Sequence, residues 1–284
     1  MNNSSTFFQS LTPDILAPSE FVDWSAINKR VKVIRREIAL VQSLDKDSPV
    51  DDLADLLSKE PKILNVLQLL IAHTPKEIYF ATPGKKICFA DDMKAVQTAS
   101  RRAKEVASIF VEMGLVEFLK EVRSVEDVVK GVLIGLQPNT RKNRRGSKLE
   151  EILHGLISRT VDEINGQENL TLSLEAQMYV DLHNERKRID YVVLQNGEQK
   201  IGIEVNFYAS SGSKPAEVLG RAYPEVQQSL EAKNMGFIVI TDGLGWERMK
   251  PVLATAFKKL HFLMNIKMAE KGDLKKAILE ILRG

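Results

Sequence analysis

Cysteine is nearly absent from this chain: Cys88 stands alone in 284 residues. A single thiol excludes an internal disulfide and a multi-cysteine zinc site, and it suits a reducing compartment. Long apolar runs are missing too, none approaching the roughly 20 residues that a membrane-spanning helix needs. The start, Met1-Asn-Asn-Ser-Ser-Thr, has neither the basic region nor the apolar stretch of a signal peptide. The chain is therefore expected in the cytoplasm, with no membrane partner. The four histidines, His73, His154, His183 and His261, are scattered and form no metal-ligand spacing. Phosphate-loop and nucleophile-elbow signatures do not occur, nor do internal repeats. Net charge is only +2, so any role on a polyanion must rest on local patches.

What is present falls into two halves. The first is helical in pattern. Phe21–Leu44 repeats apolar residues at helical spacing, Ser48-Pro49 opens a second helix through Leu57, and Ile63–Ala72 is a more apolar, buried helix. Short strands are expected at Ile78–Phe80 and Ile87–Phe89, then helices over Lys94–Met113 and Val116–Val122. Residues 1–123 are expected to form a mainly helical region, and residues 124–284 a second region. There Ser124 caps a helix running to about Ile134, and Gln137–Gly146 reads as a polar, basic loop before a helix over Leu149–Asn165. A hairpin, a helix from Pro215, a strand at Gly236–Thr241, a helix Gly245–Leu260, a strand Phe262–Ile266 and a helix Leu274–Leu282 follow. That alternation implies an α/β fold with a mixed sheet and flanking helices.

The hairpin of residues 189–208 carries the chemistry. Ile201, Ile203, Val205 and Phe207 alternate with other residues, so Glu204, Asn206 and Tyr208 point to the opposite side. Asp190 lies on the preceding strand. A two-residue Asn196-Gly197 turn would pair Gln195 with Glu198 and set Asp190 against Ile203, on the wrong face. A three-residue loop with Gly197 left-handed in a bulge pairs Leu194 with Glu198 instead. Asp190 then lies opposite Gly202 and diagonal to Glu204, and this second register is the expected one. Gly202 reads as open space beside the acids. Two carboxylates so placed can hold a hard divalent cation such as Mg²⁺ against a phosphodiester.

Other stretches invite either a structural or a functional reading. Arg141, Lys142, Asn143, Arg144, Arg145 and Lys148 form a basic segment, either solvated or clamping phosphate and reaching base edges. Glu150 follows as a dipole-complementing acid or a carboxylate near the clamped phosphate. The loop Ser210-Ser211-Gly-Ser213-Lys214 is a crossover or an anion-receiving turn. Asp242 is a turn residue or a reader of ligand at a strand end, and Trp246 reads more readily as core than as a stacking platform.

Taken in order, Gly-Leu-(x)₂-Asn-Thr-Arg-Lys-Asn-Arg-(x)-Gly, Glu150, Ile-Asp190, Ile-Glu204-Val-Asn-Phe-Tyr, Ser-Gly-Ser-Lys214 and Ile-Thr-Asp242-Gly-(x)-Gly-Trp246 resemble the MboI/DpnII family of type II restriction endonucleases. The resemblance is strong from about Gly131 onward and general before it. It implies a PD-(D/E)xK nuclease core, Mg²⁺-dependent cleavage of double-stranded DNA at the palindrome GATC before its guanine, a two-fold homodimer and a companion DNA methyltransferase. Asp190 and Glu204 become the metal-binding carboxylates, with Glu150 in support. Arg141–Arg145, Lys148, Ser211, Ser213, Asp242 and Trp246 become candidate DNA contacts. Asn206 departs from the superfamily, standing where its pattern has lysine; Lys214 is expected to supply the missing cation. A repair nuclease or resolvase of the same fold, and a DNA-binding module without catalysis, are the alternatives.

Overall fold

The computed structural model describes residues 4–182 and 186–284. Met1–Asn3, the start of the stretch compared with a signal peptide, and His183 lie outside them. The chain divides into two compact units, Pro18–Arg141 and Met1–Ala17 with Lys142–Gly284. The boundary expected after residue 123 is therefore displaced. Val125, Val129 and Leu133 pack with Val31 and Leu67 in the helical unit's core. Phe7 joins the core of the other unit, its ring 5.5 Å from that of Phe257.

A short helix α1 (Ser4–Gln9) precedes the helical unit, which starts with α2 (Trp24–Val33) and α3 (Arg35–Gln42). These break the expected Phe21–Leu44 helix at Ile34, whose φ of −106° leaves helical geometry. Then come α4 (Pro49–Lys59), with Pro49 in its first turn, and α5 (Ile63–Leu70). A small ribbon pairs β1 (Glu77–Tyr79) with β2 (Lys86–Cys88). Helices α6 (Phe89–Thr98) and α7 (Ser100–Glu112) replace the single one expected over Lys94–Met113, parted at an extended Ala99. Helix α8 (Leu115–Glu121) precedes α9 (Val125–Gly135), which Ser124 caps by accepting the Asp127 amide.

The expected basic loop is helical. Helix α10 runs from Gln137 to Glu168 without interruption. Polarity argued for a loop, but Arg and Lys are good helix formers, and Pro138 sits in the first turn, where a proline is tolerated. Among the described residues no helix is long and apolar enough to cross a membrane.

The other unit is built on a five-stranded mixed sheet ordered β3 (Leu172–Asp181), β4 (Arg186–Gln195), β5 (Glu198–Phe207), β6 (Gly236–Asp242) and β7 (Phe262–Met264). The first two pairings are antiparallel and the last two parallel. Edge strand β3 was not anticipated, its outer face being polar. Helices α11 (Ser213–Glu217) and α12 (Tyr223–Glu231) connect β5 to β6; α13 (Lys250–Lys259) connects β6 to β7; and α14 (Leu274–Arg283) ends the chain. Central strand β5 is buried from Ile201 to Val205.

The hairpin register differs from the expected one. Gln195 pairs directly with Glu198 across a two-residue turn, with Asn196 at φ 52° and Gly197 at φ 83°. Such a left-handed pair twists with the strands, which is why the shorter loop wins. The parity change comes one step later. Val193 pairs with Ile201 but Leu194 with Gln199, leaving Lys200 as a bulged extra residue. In the register beyond the bulge, Tyr191 faces Ile203, so Asp190 comes level with Glu204 rather than Gly202. Gly202 offers no open space either, since a Cβ there would lie 3.1 Å from Leu230 of α12. It is a packing glycine.

Candidate active site

Paired β4 and β5 end at Tyr191 and Ile203, and Asp190 takes over where the ladder stops. Its Oδ2 accepts the Val205 amide at 3.0 Å. The carboxylate thus replaces a backbone acceptor and is fixed in direction by the strand that carries Glu204. Glu204 itself is only 7 % exposed. Its pKa is pushed up to about 7, first by burial, then by the charge of Asp190 beside it, with Lys187 partly opposing. That departure corresponds to about 3 kcal/mol against ionisation.

Two side chains contact this acid, and two more act through the second of them. The Lys187 ammonium of β4 lies 3.1 Å from Glu204 Oε1 and 5.3 Å from the centre of the Tyr223 ring. Tyr223 donates its hydroxyl to Glu204 Oε2 at 3.3 Å. Asn206 donates its amide to the Tyr223 oxygen and accepts from the Tyr208 hydroxyl at 3.1 Å. Donation therefore runs in one direction, from Tyr208 through Asn206 and Tyr223 to Glu204. Tyr223 reaches in because residues Val218–Ala222 form one wide helical turn, its amide bonding the carbonyl of Val218; such turns recur at functional sites. Burial and the Glu204 charge raise the Tyr223 pKa well above its ordinary value, and the same causes push Tyr208 up to about 12. Both hydroxyls stay protonated and available as donors.

Around the acids lies a cleft walled by Lys142, Arg145, Gly146, Leu149 and Glu150 of α10, by Asp190 and residues 205–208, and by the loop from Ala209 to Pro215. The α10 residues recur at three- and four-residue steps, one helical face. Tyr191 ties that helix to the sheet by donating to the Glu150 carbonyl at 2.9 Å. Glu150, Ser211, Ser213 and Lys214 are exposed there. Lys214 makes no ion pair among the described residues.

The basic segment is partly spoken for. Arg145 forks onto Asp14 at 3.0 and 2.6 Å, Arg141 stacks on Phe21 at 4.2 Å, and Lys148 pairs with Glu151 at 3.5 Å. Lys142 and Asn143 are exposed. Asp242 and Trp246, expected as possible DNA contacts, are both fully buried. Asp242 accepts from Thr12, Gly243 and Ile266, and Trp246 donates to Thr241 at 3.0 Å. A Cβ on Gly243 or Gly245 would overlap the carbonyl of Tyr208. This stretch packs against the backbone of Tyr208 and Ser210, with Asp242 and Trp246 buried and Leu244 exposed.

The acids suit a divalent cation. Glu204 Oε1 is buried without a hydrogen bond, since its Lys187 contact lacks hydrogen-bond geometry, and a second carboxylate adjoins it. Among the described residues no group of three or more His, Cys, Asp or Glu is arranged to hold a metal. A two-carboxylate site of this kind suits a hard divalent cation that retains water and takes its remaining ligands from a bound phosphate. Glu150 stands apart from the pair.

Sequence reasoning set Tyr208 on the side of Glu204 without giving it a role, and overlooked Lys187 and Tyr223. Lys187 is three residues from Asp190, and strict strand alternation would send it to the other side; no signal marks the wide turn that delivers Tyr223. The comparisons agree with the resemblance. The family model described as DpnII restriction endonuclease matches residues 3–276. The type II restriction enzyme DpnII of Streptococcus pneumoniae is 30 % identical over 96 % of this chain and 97 % of its own. MjaIII of Methanocaldococcus jannaschii, also a type II restriction enzyme, is 26 % identical over 98 % of this chain and all of its own. MboI of Moraxella bovis, of the same description, is 26 % identical over 92 % and 91 %. Matched by that family model over residues 3–276, nearly its whole length, the chain belongs to the DpnII restriction endonuclease family and is a type II restriction enzyme.

Proposed function

We propose that this enzyme hydrolyses double-stranded DNA at the palindrome 5′-GATC-3′, before the guanine, using Mg²⁺ in a PD-(D/E)xK-type centre and acting as a homodimer. The observation that carries the reading is the apposition of two carboxylates, Asp190 fixed by the Val205 amide and Glu204 buried with an oxygen that makes no hydrogen bond. Asp190 and Glu204 would hold the ion, which when bound acidifies water and neutralises charge on phosphate. Glu150, exposed in the same cleft, is the supporting acid. Lys142, Asn143, Ser211, Ser213 and Lys214 would meet the DNA backbone, positioning the duplex without reading it. Asn206 acts through Tyr223 rather than on substrate, orienting Glu204. The helical unit would assist DNA binding or dimerisation. A cytoplasmic setting and a partner methyltransferase that protects host DNA complete the proposal.

Sequencing the ends produced from unmethylated plasmid, with Mg²⁺ and with chelator, tests it. Ends at GATC that appear only with the ion support the reading. Heterogeneous ends, or cutting that survives Asp190→Asn, would overturn it.

A further inference from the structure

We propose that Lys187 is the catalytic cation of this site, the group that neutralises charge building on the attacked phosphate. The proposal rests on the reading of Asp190 and Glu204 as the nuclease centre. In the hydrolysis, a water oxygen bonds to phosphorus and the bond to the leaving oxygen breaks. The attacking water gives up a proton to solvent, and the leaving oxygen keeps the electron pair and takes a proton from solvent. Lys187 transfers no atom and supplies charge only.

Charge that develops in a transition state is best met by a group already in place, because no reorganisation is then needed. Asn206 cannot be that group, since it is neutral and its amide is engaged at both ends by Tyr208 and Tyr223. Arg145 is committed to Asp14 in a bidentate fork. Lys142 and Lys214 line the cleft but are exposed, and a solvated lysine must lose rotamer freedom to be fixed. Lys187 is already held. Its ammonium is 3.1 Å from Glu204 with the side chain one-quarter exposed, and it also lies near the Tyr223 ring. Glu204 faces only part of an ammonium that has three donors. Those that remain are available to a phosphate drawn against the same carboxylate. A lysine on the substrate-facing loop would chiefly strengthen DNA binding; one held against the acids would chiefly change the rate.

The experiment compares Lys187→Met, Lys187→Arg and Lys214→Met in the full chain, on a duplex carrying the sequence that the parent enzyme cuts. Three quantities are read: the single-turnover rate at saturating enzyme and Mg²⁺, DNA affinity without divalent ion as a function of salt, and melting temperature. Lys187→Met is expected to lose about a hundredfold or more in rate, with metal-free affinity within about threefold of the parent. Lys187→Arg is expected to recover part of that rate. Lys214→Met should do the reverse, losing affinity, flattening the salt dependence by about one unit and losing less than about tenfold in rate. A Lys187→Met rate within about fivefold of the parent would overturn the proposal. So would a rate loss matched by equal losses of affinity and melting temperature, which would make Lys187 a structural ion pair. Should Lys187→Met not fold, Lys187→Gln takes its place. Glu204→Gln separates the two readings: if it cuts as fast as the parent, the centre itself is misassigned.

Discussion

Replacing Asp242 by asparagine separates a structural aspartate from one that reads DNA. Its Oδ1 accepts the amides of Thr12 at 2.8 Å and Gly243 at 2.7 Å. Its Oδ2 accepts the Thr12 hydroxyl at 2.8 Å and the Ile266 amide at 3.2 Å. An asparagine has one acceptor end, so its NH₂ must face one of these pairs. The less harmful orientation sets NH₂ against Thr12 Oγ1, which can rotate to accept, but the Ile266 amide is left without an acceptor. An orphaned buried amide costs about 1–3 kcal/mol, and the surviving bonds weaken to roughly half as their charge is lost. Relief of carboxylate desolvation offsets some of this. A net loss of about 3 kcal/mol should lower the melting temperature by roughly 6–12 °C for a chain of this size. Trp246 reports directly on this unit, being fully buried beside Thr241, whereas Trp24 is 55 % exposed; the red shift of its fluorescence follows the transition. Cleavage specificity at 25 °C, below the expected transition, should be unaltered. An unchanged melting temperature with relaxed sequence choice would refute the packing account and return Asp242 to the DNA interface.

Further expectations concern the site and its borders. The Arg145 guanidinium holds the Asp14 carboxyl below its usual value. A depressed acid contributes stability above its unfolded pKa of about 3.9, and loses it as pH falls through the lower folded value. The melting-temperature gap between the parent and Asp14→Asn should thus be full at pH 6 and narrow below the ordinary carboxylate range; a gap that widens in acid contradicts the assignment. Tyr223→Phe removes the donor to Glu204 and the acceptor of Asn206, and leaving that amide unpaired costs about 1–3 kcal/mol. Its single-turnover rate should drop at least tenfold, on the order of the 1.4 kcal/mol that one such bond represents, while metal-free DNA binding holds. Equal weakening of both would mean the tyrosine is only packing. Mg²⁺ at a hundred times its dissociation constant should stabilise the parent by about 2.7 kcal/mol. Thermal melts should show that gain vanish in Asp190→Asn, and its persistence would place the ion elsewhere.

The sequence made the acid pair legible because burial of strand β5 is written in its alternation. Ile201, Ile203 and Val205 fix which residues share a side, and Glu204 is read against them. The route to Asp190 was less accessible. Both candidate turns contain Asn196 and Gly197, and the bulge that restores parity falls on Lys200, a residue without any distinguishing feature. The basic segment was misread for a related reason. Polarity says that residues 137–146 meet water, and water meets helices as readily as loops. Asp242-Gly-Leu-Gly-Trp246 shows the opposite hazard, because a glycine-rich strand end suits ligand binding and close backbone packing alike. Here the carbonyl of Tyr208 occupies the room that the glycines make.

Asn206 is the residue whose meaning changes most between the two views. Under the resemblance it stands where the PD-(D/E)xK pattern has lysine, a gap in charge to be filled from nearby. In the structure it is the middle of a directed chain, accepting from Tyr208 and donating towards Tyr223, which in turn donates to Glu204. A lysine there could donate to Tyr223 but could accept nothing from Tyr208, so the outer hydroxyl would lose its partner in a half-buried place. It would also set a second ammonium near the one that Glu204 already faces, and like charges at such range oppose one another. The neutral amide and Lys187 therefore belong to one arrangement. The amide orients the acid through tyrosine, and that leaves the neighbouring strand to bring the charge.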